Sequence, residues 1–495
     1  MATFMIGIII LVVGGFFYGK FCEKTFGPDE RETPAISKAD GVDFVVMKKW
    51  KNSLIELLNI AGTGPIFGPI QGILFGPIAF ITIPLGCVLA GSMHDYFSGM
   101  ISMRNGGAQM PKLIKKYLGN NVIKAYNFFL WILMFLVGVV FVYTPGDLIV
   151  TQVLGQEAAV TNPVVWIVYG CIFVYYLIAT LFPIDAIIGR IYPIFGAFLV
   201  LSAVGIFLGV LMDGGANLTN LSFATNPFAQ HTTGLPFIPV FFITVACGIM
   251  SGFHATQATL ISRTVKSEKE GKSTFFNMML AEGFIAMCWA AGTMVIFGRG
   301  ADIATAPTLM VGLVSRGFLG PIGGMIAVIG VIVLPITSGD TAFRSLRLMV
   351  SEQFKIDQKP SKNRVIVSSI LFIPAIIVLY FSKLNPAGFN ILWRYFAFTN
   401  QFVATFALAT IAVYLYINGK NALVALIPGV FYFFVTLSFI FHAPIGLGLE
   451  SRLGMDPNSY TVSYIVAAVC CVFYVMYVKK HAVSQKEHIL QDVLS

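Results

Sequence analysis

Between positions 59 and 77 the chain reads Asn-Ile-Ala-Gly-Thr-Gly-Pro-Ile-Phe-Gly-Pro-Ile-Gln-Gly-Ile-Leu-Phe-Gly-Pro. The stretch is apolar enough to lie in a bilayer, yet it carries Gly62, Gly64, Pro65, Gly68, Pro69, Gly72, Gly76 and Pro77. An unbroken helix is disfavoured, because Gly costs about 1 and Pro about 3 kcal/mol in a helix interior. In lipid the freed backbone groups need partners, so a break survives only inside protein or beside a water-filled cavity. The expectation is two half-helices with an unwound joint at Gly62–Gly64. Pro65 suits the first turn of the second half, where its missing N–H is not needed. Such a joint aims bare N–H groups and a positive dipole end at whatever occupies it. Broken helices of this kind mark the binding sites of many secondary transporters. The alternative is a kinked helix packed through its glycines, with no ligand.

The rest of the chain fits a membrane setting. It is 57% hydrophobic and only 11% charged, against about 25% charged in ordinary soluble domains. The net charge of +9 does not point to nucleic acid, because the basic residues sit in short loops between apolar spans. The seven cysteines show no metal-binding spacing and read as small hydrophobes. The pattern predicts an all-α polytopic membrane protein with about thirteen spans: 3–21, 54–76, 77–101, 121–144, 163–182, 186–212, 237–260, 273–298, 321–346, 364–382, 390–416, 421–441 and 460–478. The first is read as a retained span, since it lacks a basic leader and a cleavage site. Residues 106–119, with Lys112, Lys115 and Lys116, read as a surface amphipathic segment, and 303–319 as a short external or re-entrant helix. On this topology 27 of the 32 basic residues fall on one side. The positive-inside rule then places the N-terminus outside and the C-terminus in the cytoplasm, across the cytoplasmic (inner) membrane.

A second broken segment follows in span seven. Gly248, Ser251 and Gly252 weaken the helix there, while His254, Thr256, Gln257 and Thr259 put polar groups at membrane depth. Spans two and seven lie five apart and cross in opposite directions, as an inverted five-plus-five repeat requires. The expected division is 1–53 for the first span and a cytoplasmic loop, 54–212 for repeat one and 213–416 for repeat two. Residues 417–495 would hold two peripheral spans and a tail. Substrate contacts are expected at Gly62, Thr63, Gly64, Pro65, Ser251, Gly252, His254 and Gln257. No acidic residue falls between Asn59 and Thr82 or between Thr244 and Arg263. The two dipole ends therefore favour a carboxylate, and the glycines leave room for backbone contact.

Ionisable groups at membrane depth are costly and are functional candidates. His94 and Asp95 are neighbours about 100° apart on a helix, so each is expected to serve a different partner, or merely to cap or pair. Glu282 needs a partner or a proton. Pro335 and Gly339 should loosen span nine, where Thr337, Ser338, Asp340 and Thr341 offer hard oxygens to a small cation or proton. Equally, Asp340 can pair with Arg344 one turn on. Arg190 either reaches the inner cavity or anchors its span. Asn400 and Gln401 are helix glue or cavity lining.

Several strings are specific. Ala61-Gly-Thr-Gly-Pro-Ile-Phe-Gly-Pro69, His94-Asp-Tyr-Phe-Ser-Gly-Met100, Arg104-Asn-Gly-Gly-Ala-Gln109 and Ser251-Gly-Phe-His-Ala-Thr-Gln-Ala-Thr-Leu-Ile-Ser-Arg-Thr264 resemble the carbon starvation protein CstA family. So do Ala281-Glu-Gly-Phe-Ile-Ala286, Leu334-Pro-Ile-Thr-Ser-Gly-Asp-Thr341, Trp393-Arg-Tyr-Phe396 and Asn400-Gln401. The chain looks like the family's shorter branch. The longer form reads His-His where this chain has 52–56, so a family role for those histidines does not carry over. The resemblance implies secondary import of peptides, or in some members pyruvate, during carbon starvation. It also implies a LeuT-like (APC-type) inverted repeat, whose shared ion site would bring Ala61 and Gly62 near Thr337 and Ser338. Na⁺ or H⁺ would be the coupling ion, with no other cofactor, and the partners would be a small molecule and the bilayer. An intramembrane enzyme would need a nucleophile–base pair or an aspartate-rich metal motif, and neither is present. A nutrient sensor would need a separate signalling subunit, because the loops and termini are short.

Overall fold

The computed structural model describes residues 1–41, 43–181 and 185–494, with side chains described except at 180–193 and 488–494. The regular elements among the described residues are all helical, with no strand. Sixteen helices organise the chain. They begin with α1 (Ala2–Phe26), α2 (Lys49–Ile60), α3 (Gly64–Gly72), α4 (79–104), α5 (Met110–Leu118), α6 (Asn120–Val153), α7 (Pro163–Leu181) and α8 (Asp185–Met212). They continue with α9 (237–248), α10 (Gly252–Ile261), α11 (Glu268–Gly298), α12 (Pro307–Gln353), α13 (Ser361–Leu384), α14 (Gly388–Ile417), α15 (Leu423–His442) and α16 (Thr461–Leu494).

Among the described residues ten stretches are long and apolar enough to cross a membrane, against the thirteen spans expected. The other three expected spans fall on α2–α3, α4 and α7. The α2–α3 stretch is interrupted at the joint and α4 carries the polar run around His94-Asp95, while α7, at 19 residues, is close to the length of a span. Rows of exposed apolar side chains, such as Ile6, Ile9, Val12, Val13, Phe16 and Phe17 on α1, present a lipid-facing surface. The α9–α10 stretch and α14 are almost wholly enclosed, whereas α1, α13 and α16 are mostly outward-facing.

The amphipathic segment forms as expected. Met110, Leu113, Ile114 and Tyr117 of α5 turn inward, while Lys112, Lys115 and Lys116 stay exposed. The 303–319 segment becomes the first part of α12, set off by a kink at Gly320 with φ 69°. The expected loosening at Pro335 and Gly339 does not occur. The chain is helical from 321 through 353, so no unwound carbonyls are offered there. A proline in a long, laterally packed helix costs one hydrogen bond and a bend, and here the packing against α6 and α8 carries the helix through.

Both broken spans are present. After Ile60 the backbone leaves the helix at Ala61 (φ −79°, ψ 56°) and re-enters at Gly64, with Pro65 in the first turn. In the second, α9 ends at Gly248, the chain unwinds through Met250 and Ser251, and α10 starts at Gly252. The glycines of α3 are spent on close packing. A Cβ on Gly64 would lie 2.1 Å from the Cβ of Cys247, and one on Gly68 would lie 2.8 Å from the Val245 carbonyl oxygen. So α3 and α9 cross almost backbone to backbone, as small-residue helix interfaces do. The glycine-packing alternative and the broken-helix reading therefore both hold. The room expected from these glycines is filled, except at Gly62, whose nearest neighbour is the Phe141 ring at 3.4 Å.

Candidate functional site

The two joints meet, and a small cavity lies between them. Its walls are Asn59, Gly62, Thr63 and Gly64 from the first joint and Cys247, Ser251, Phe253 and His254 from the second, with Val137, Phe141, Phe396 and Asn400 closing the sides. The enclosed space, about 20 Å³ for water centres, holds roughly one water. Among the described residues no carboxylate lines it.

The polar groups on the walls are not equally free. Asn400, on α14, accepts from the Ser251 hydroxyl and from the Phe253 N–H, each at 3.0 Å, and its amide donates to Cys247 Sγ at 2.9 Å. It thereby caps α10, whose leading N–H is no longer bare. The first joint differs. The Thr63 hydroxyl is fully buried and has no hydrogen-bond partner. It stands beside the N-terminus of α3, where the helix dipole favours an anion.

Behind His254 lies a cluster of buried titratable groups. Its Nδ1 is 3.1 Å from Asp95 Oδ2, and its Nε2 is 3.5 Å from Glu282 Oε2. Asp95 also receives His94 Nδ1 on its other oxygen, at 2.7 Å. The expectation that His94 and Asp95 serve separate partners is thus corrected. A carboxylate has two oxygens on a rotatable stem, so Asp95 takes its own neighbour with one and His254 with the other. His254 thus lines the cavity while each of its ring nitrogens meets a buried acid.

A model of the family described as carbon starvation protein CstA matches residues 1–171, 146–313 and 292–439. The chain belongs to the CstA family. Its relatives include an uncharacterised membrane protein of Haemophilus influenzae, 42% identical over 58% of this chain and 89% of that one. The peptide transporter CstA of Escherichia coli is 24% identical over 93% of this chain and 85% of its own length. The pyruvate/proton symporter BtsT of Escherichia coli is 22% identical over 54% of this chain and 45% of its own. In fold the chain is similar to a manganese transporter from Eremococcus coleocola, at TM-score 0.55 and 11% identity, over 87% of this chain and 95% of that one. It is a multi-pass membrane protein with a transporter fold.

In this CstA-family chain the cavity gathers Gly62, Thr63, Gly64, Ser251 and His254 from the sequence-predicted substrate set. Pro65 sits in the first turn of α3, and Gly252 packs on the α14 backbone, its Cβ position 2.6 Å from the Asn400 carbonyl oxygen. Gln257 donates to Thr256 at 3.2 Å, and these three do not line the cavity. Asn400 proves to be both glue and lining. Gln401 is glue, its amide donating to the Phe242 carbonyl at 2.8 Å.

The expected ion ligands are differently disposed. Thr337 and Thr341 donate to their own helix backbone, Ser338 is buried in α12, and Asp340 pairs with Arg344 at 3.2 Å. Ala61 is buried at the first joint. The Arg190 side chain lies outside those described. Reading the sequence did not anticipate Asn59, Phe141, Cys247 or Phe396 on the cavity wall, or Glu56 beneath it. Glu56 had a signal, an acid one turn before the joint in a helix otherwise turning apolar.

Proposed function

We propose that this protein is a proton-coupled secondary importer of small carboxylates, free peptides or pyruvate-like acids, across the cytoplasmic membrane. It would work by alternating access around the meeting point of the two broken helices, within a LeuT-like inverted five-plus-five repeat. The observation that carries the reading is His254, which lines the cavity and has Asp95 at one ring nitrogen and Glu282 at the other. An imidazole so placed senses both a substrate carboxylate and the protonation of the acids, and that is the coupling a symporter needs. Names within the family lend support, since its relatives include a peptide transporter and a pyruvate/proton symporter. The wall chemistry agrees: a free hydroxyl at a helix N-terminus, an imidazole, and no acid to repel an anion.

A proton is favoured over Na⁺ because Thr337 and Thr341 donate to their own helix and Asp340 pairs with Arg344, whereas the acid–imidazole cluster stands beside the cavity. Residues Ala61, Thr337, Ser338, Asp340 and Thr341 then act in helix packing and pairing, not as an ion cage. The test is uptake of labelled pyruvate and of a labelled dipeptide by proteoliposomes holding the purified chain. An inward proton gradient should drive accumulation without Na⁺, and a protonophore should abolish it. Uptake that needs Na⁺ and ignores the protonophore refutes the proton reading.

A further inference from the structure

Glu56 is the least explained charged residue in the molecule. It lies on α2, one turn before the first joint, and it is fully buried. Neither carboxyl oxygen has a hydrogen-bond partner. One turn earlier on the same face, Asn52 is fully satisfied: its amide donates to the Thr264 carbonyl at 3.0 Å and accepts from the Thr264 hydroxyl at 2.8 Å. The face of α2 turned into the protein is thus well ordered, and Glu56 is its one open position.

The surroundings make that position costly for a charge. Asp95, from α4, is in electrostatic reach of Glu56, and so is Glu282, from α11. His254, from α10, lies between those two acids, and His94 holds the far oxygen of Asp95. Lys272, near the start of α11, is committed to Glu23 at 2.8 Å. The thiols of Cys87 and Cys247 also lie near these acids. Three carboxyls therefore share two imidazoles. Even with both imidazoles protonated, one carboxylate would remain unbalanced, and a buried unpaired ion is costly by many kcal/mol. Asp95 has two imidazole contacts and Glu282 has one, while Glu56 has none.

We propose that Glu56 is a buried, exchangeable proton site, and that it carries the coupling proton on the inner half of the first broken helix. This rests on the proton-coupled reading above and extends it. When α2 tilts away from α10 in the inward-open state, Glu56 meets water and releases its proton. When α2 returns, the proton must be regained from the cluster side. The proton moves between carboxyl and imidazole or water, and no bond other than O–H or N–H changes.

Two measurements on the full chain decide this. In nanodiscs, the infrared spectrum should contain a buried carboxylic acid C=O stretch that is lost in Glu56→Gln. Glu56→Asp keeps a carboxyl and should shift the band instead of deleting it, and it serves if the amide variant does not insert. In proteoliposomes, Glu56→Gln should retain exchange of labelled for unlabelled substrate but lose accumulation driven by a proton gradient. A C=O band unchanged in Glu56→Gln overturns the proposal, and so does accumulation at the parent's level. A parent chain with no proton-driven uptake refutes the function proposed above instead. The band difference then still decides whether Glu56 holds a proton.

Discussion

His254 Nδ1 lies 3.1 Å from Asp95 Oδ2, tying the second broken helix to α4 at the depth of the cavity. Both side chains are buried, so the pair is shielded from competing water. Removing one member of a buried pair costs about 3–5 kcal/mol when the other is left uncompensated, and Glu282 beside His254 and His94 beside Asp95 offset part of that cost here. Asp95→Asn should therefore lower the thermal midpoint of the purified chain markedly and abolish uptake. Combining it with His254→Gln should recover part of the loss, with a coupling of about 1 kcal/mol or more in the double-mutant cycle. Additive losses would mean the contact carries no energy.

Asn400 holds the other end of the same joint. Asn400→Ala strands the Ser251 hydroxyl and the Phe253 N–H. A lost cap and an unsatisfied buried donor together cost about 1–3 kcal/mol. Thermal denaturation in detergent should register this, and hydrogen exchange should rise in the first turn of α10 before it rises in α14. Unchanged exchange at residues 252–255 would show that Asn400 is not the cap.

A pH effect is expected outside the spans. Glu450 accepts from the Ser463 N–H and hydroxyl, each at 2.8 Å, and meets His442 Nδ1 at 3.2 Å, at the start of α16. Burial alone would raise its pKa, but these bonds outweigh it and hold the carboxyl below its usual range. The folded chain therefore favours the ionised form. Its contribution is full above the unfolded carboxylate value of about 4.3 and is lost as pH falls through the lower folded value. Glu450→Gln should cost about 1–2 kcal/mol at neutral pH and should flatten the acid limb of the stability profile. An acid limb identical in both chains would exclude Glu450 as its source.

Orientation can be read with single cysteines. Lys115, on the exposed face of α5, should be cytoplasmic, and Ala224, exposed in the 213–236 loop, should be external. Lys115→Cys should react with an impermeant maleimide only in inside-out vesicles, and Ala224→Cys only in right-side-out ones. The reverse pattern would invert the topology and with it the direction of the proposed proton path.

The broken helices were legible because composition alone forbids a continuous helix at Gly62–Pro65 and weakens one at Gly248–Gly252. The amphipathic α5 was legible from the spacing of its lysines. The acid cluster was not. Each sequence window around a joint is free of acid, yet Asp95 and Glu282 arrive from α4 and α11, and only the crossing of helices brings them to His254. Asp340 left an ion site and a pair with Arg344 equally open in the sequence. Its neighbours looked like an ion cage, but α12 stays helical and Arg344, one turn on, takes the carboxylate. Local chemistry at one position is readable from a string of residues, whereas charge balance belongs to the packed whole.

The charge of the substrate follows from what remains free at the cavity. Asn400 occupies the leading N–H of α10, so that dipole end is already answered by protein. The end of α3 is not answered in the same way. Thr63, beside it, has a buried hydroxyl with no partner, and His254 faces it across a space with no carboxylate on its walls. A substrate carboxylate seated between Thr63 and His254 would satisfy the hydroxyl and gain the dipole. A hydrogen bond to a charged group is worth about 1.5–3 kcal/mol, which corresponds to roughly tenfold to a hundredfold in affinity. Thr63→Val, which keeps the shape and removes the hydroxyl, should weaken competition by free acids by that factor. Thr63→Ser should restore it. Amidated analogues should compete poorly against the parent chain and lose little further against Thr63→Val. If acid and amide compete equally in the parent, the anion reading of this joint fails, and Thr63 serves only to end the break before α3.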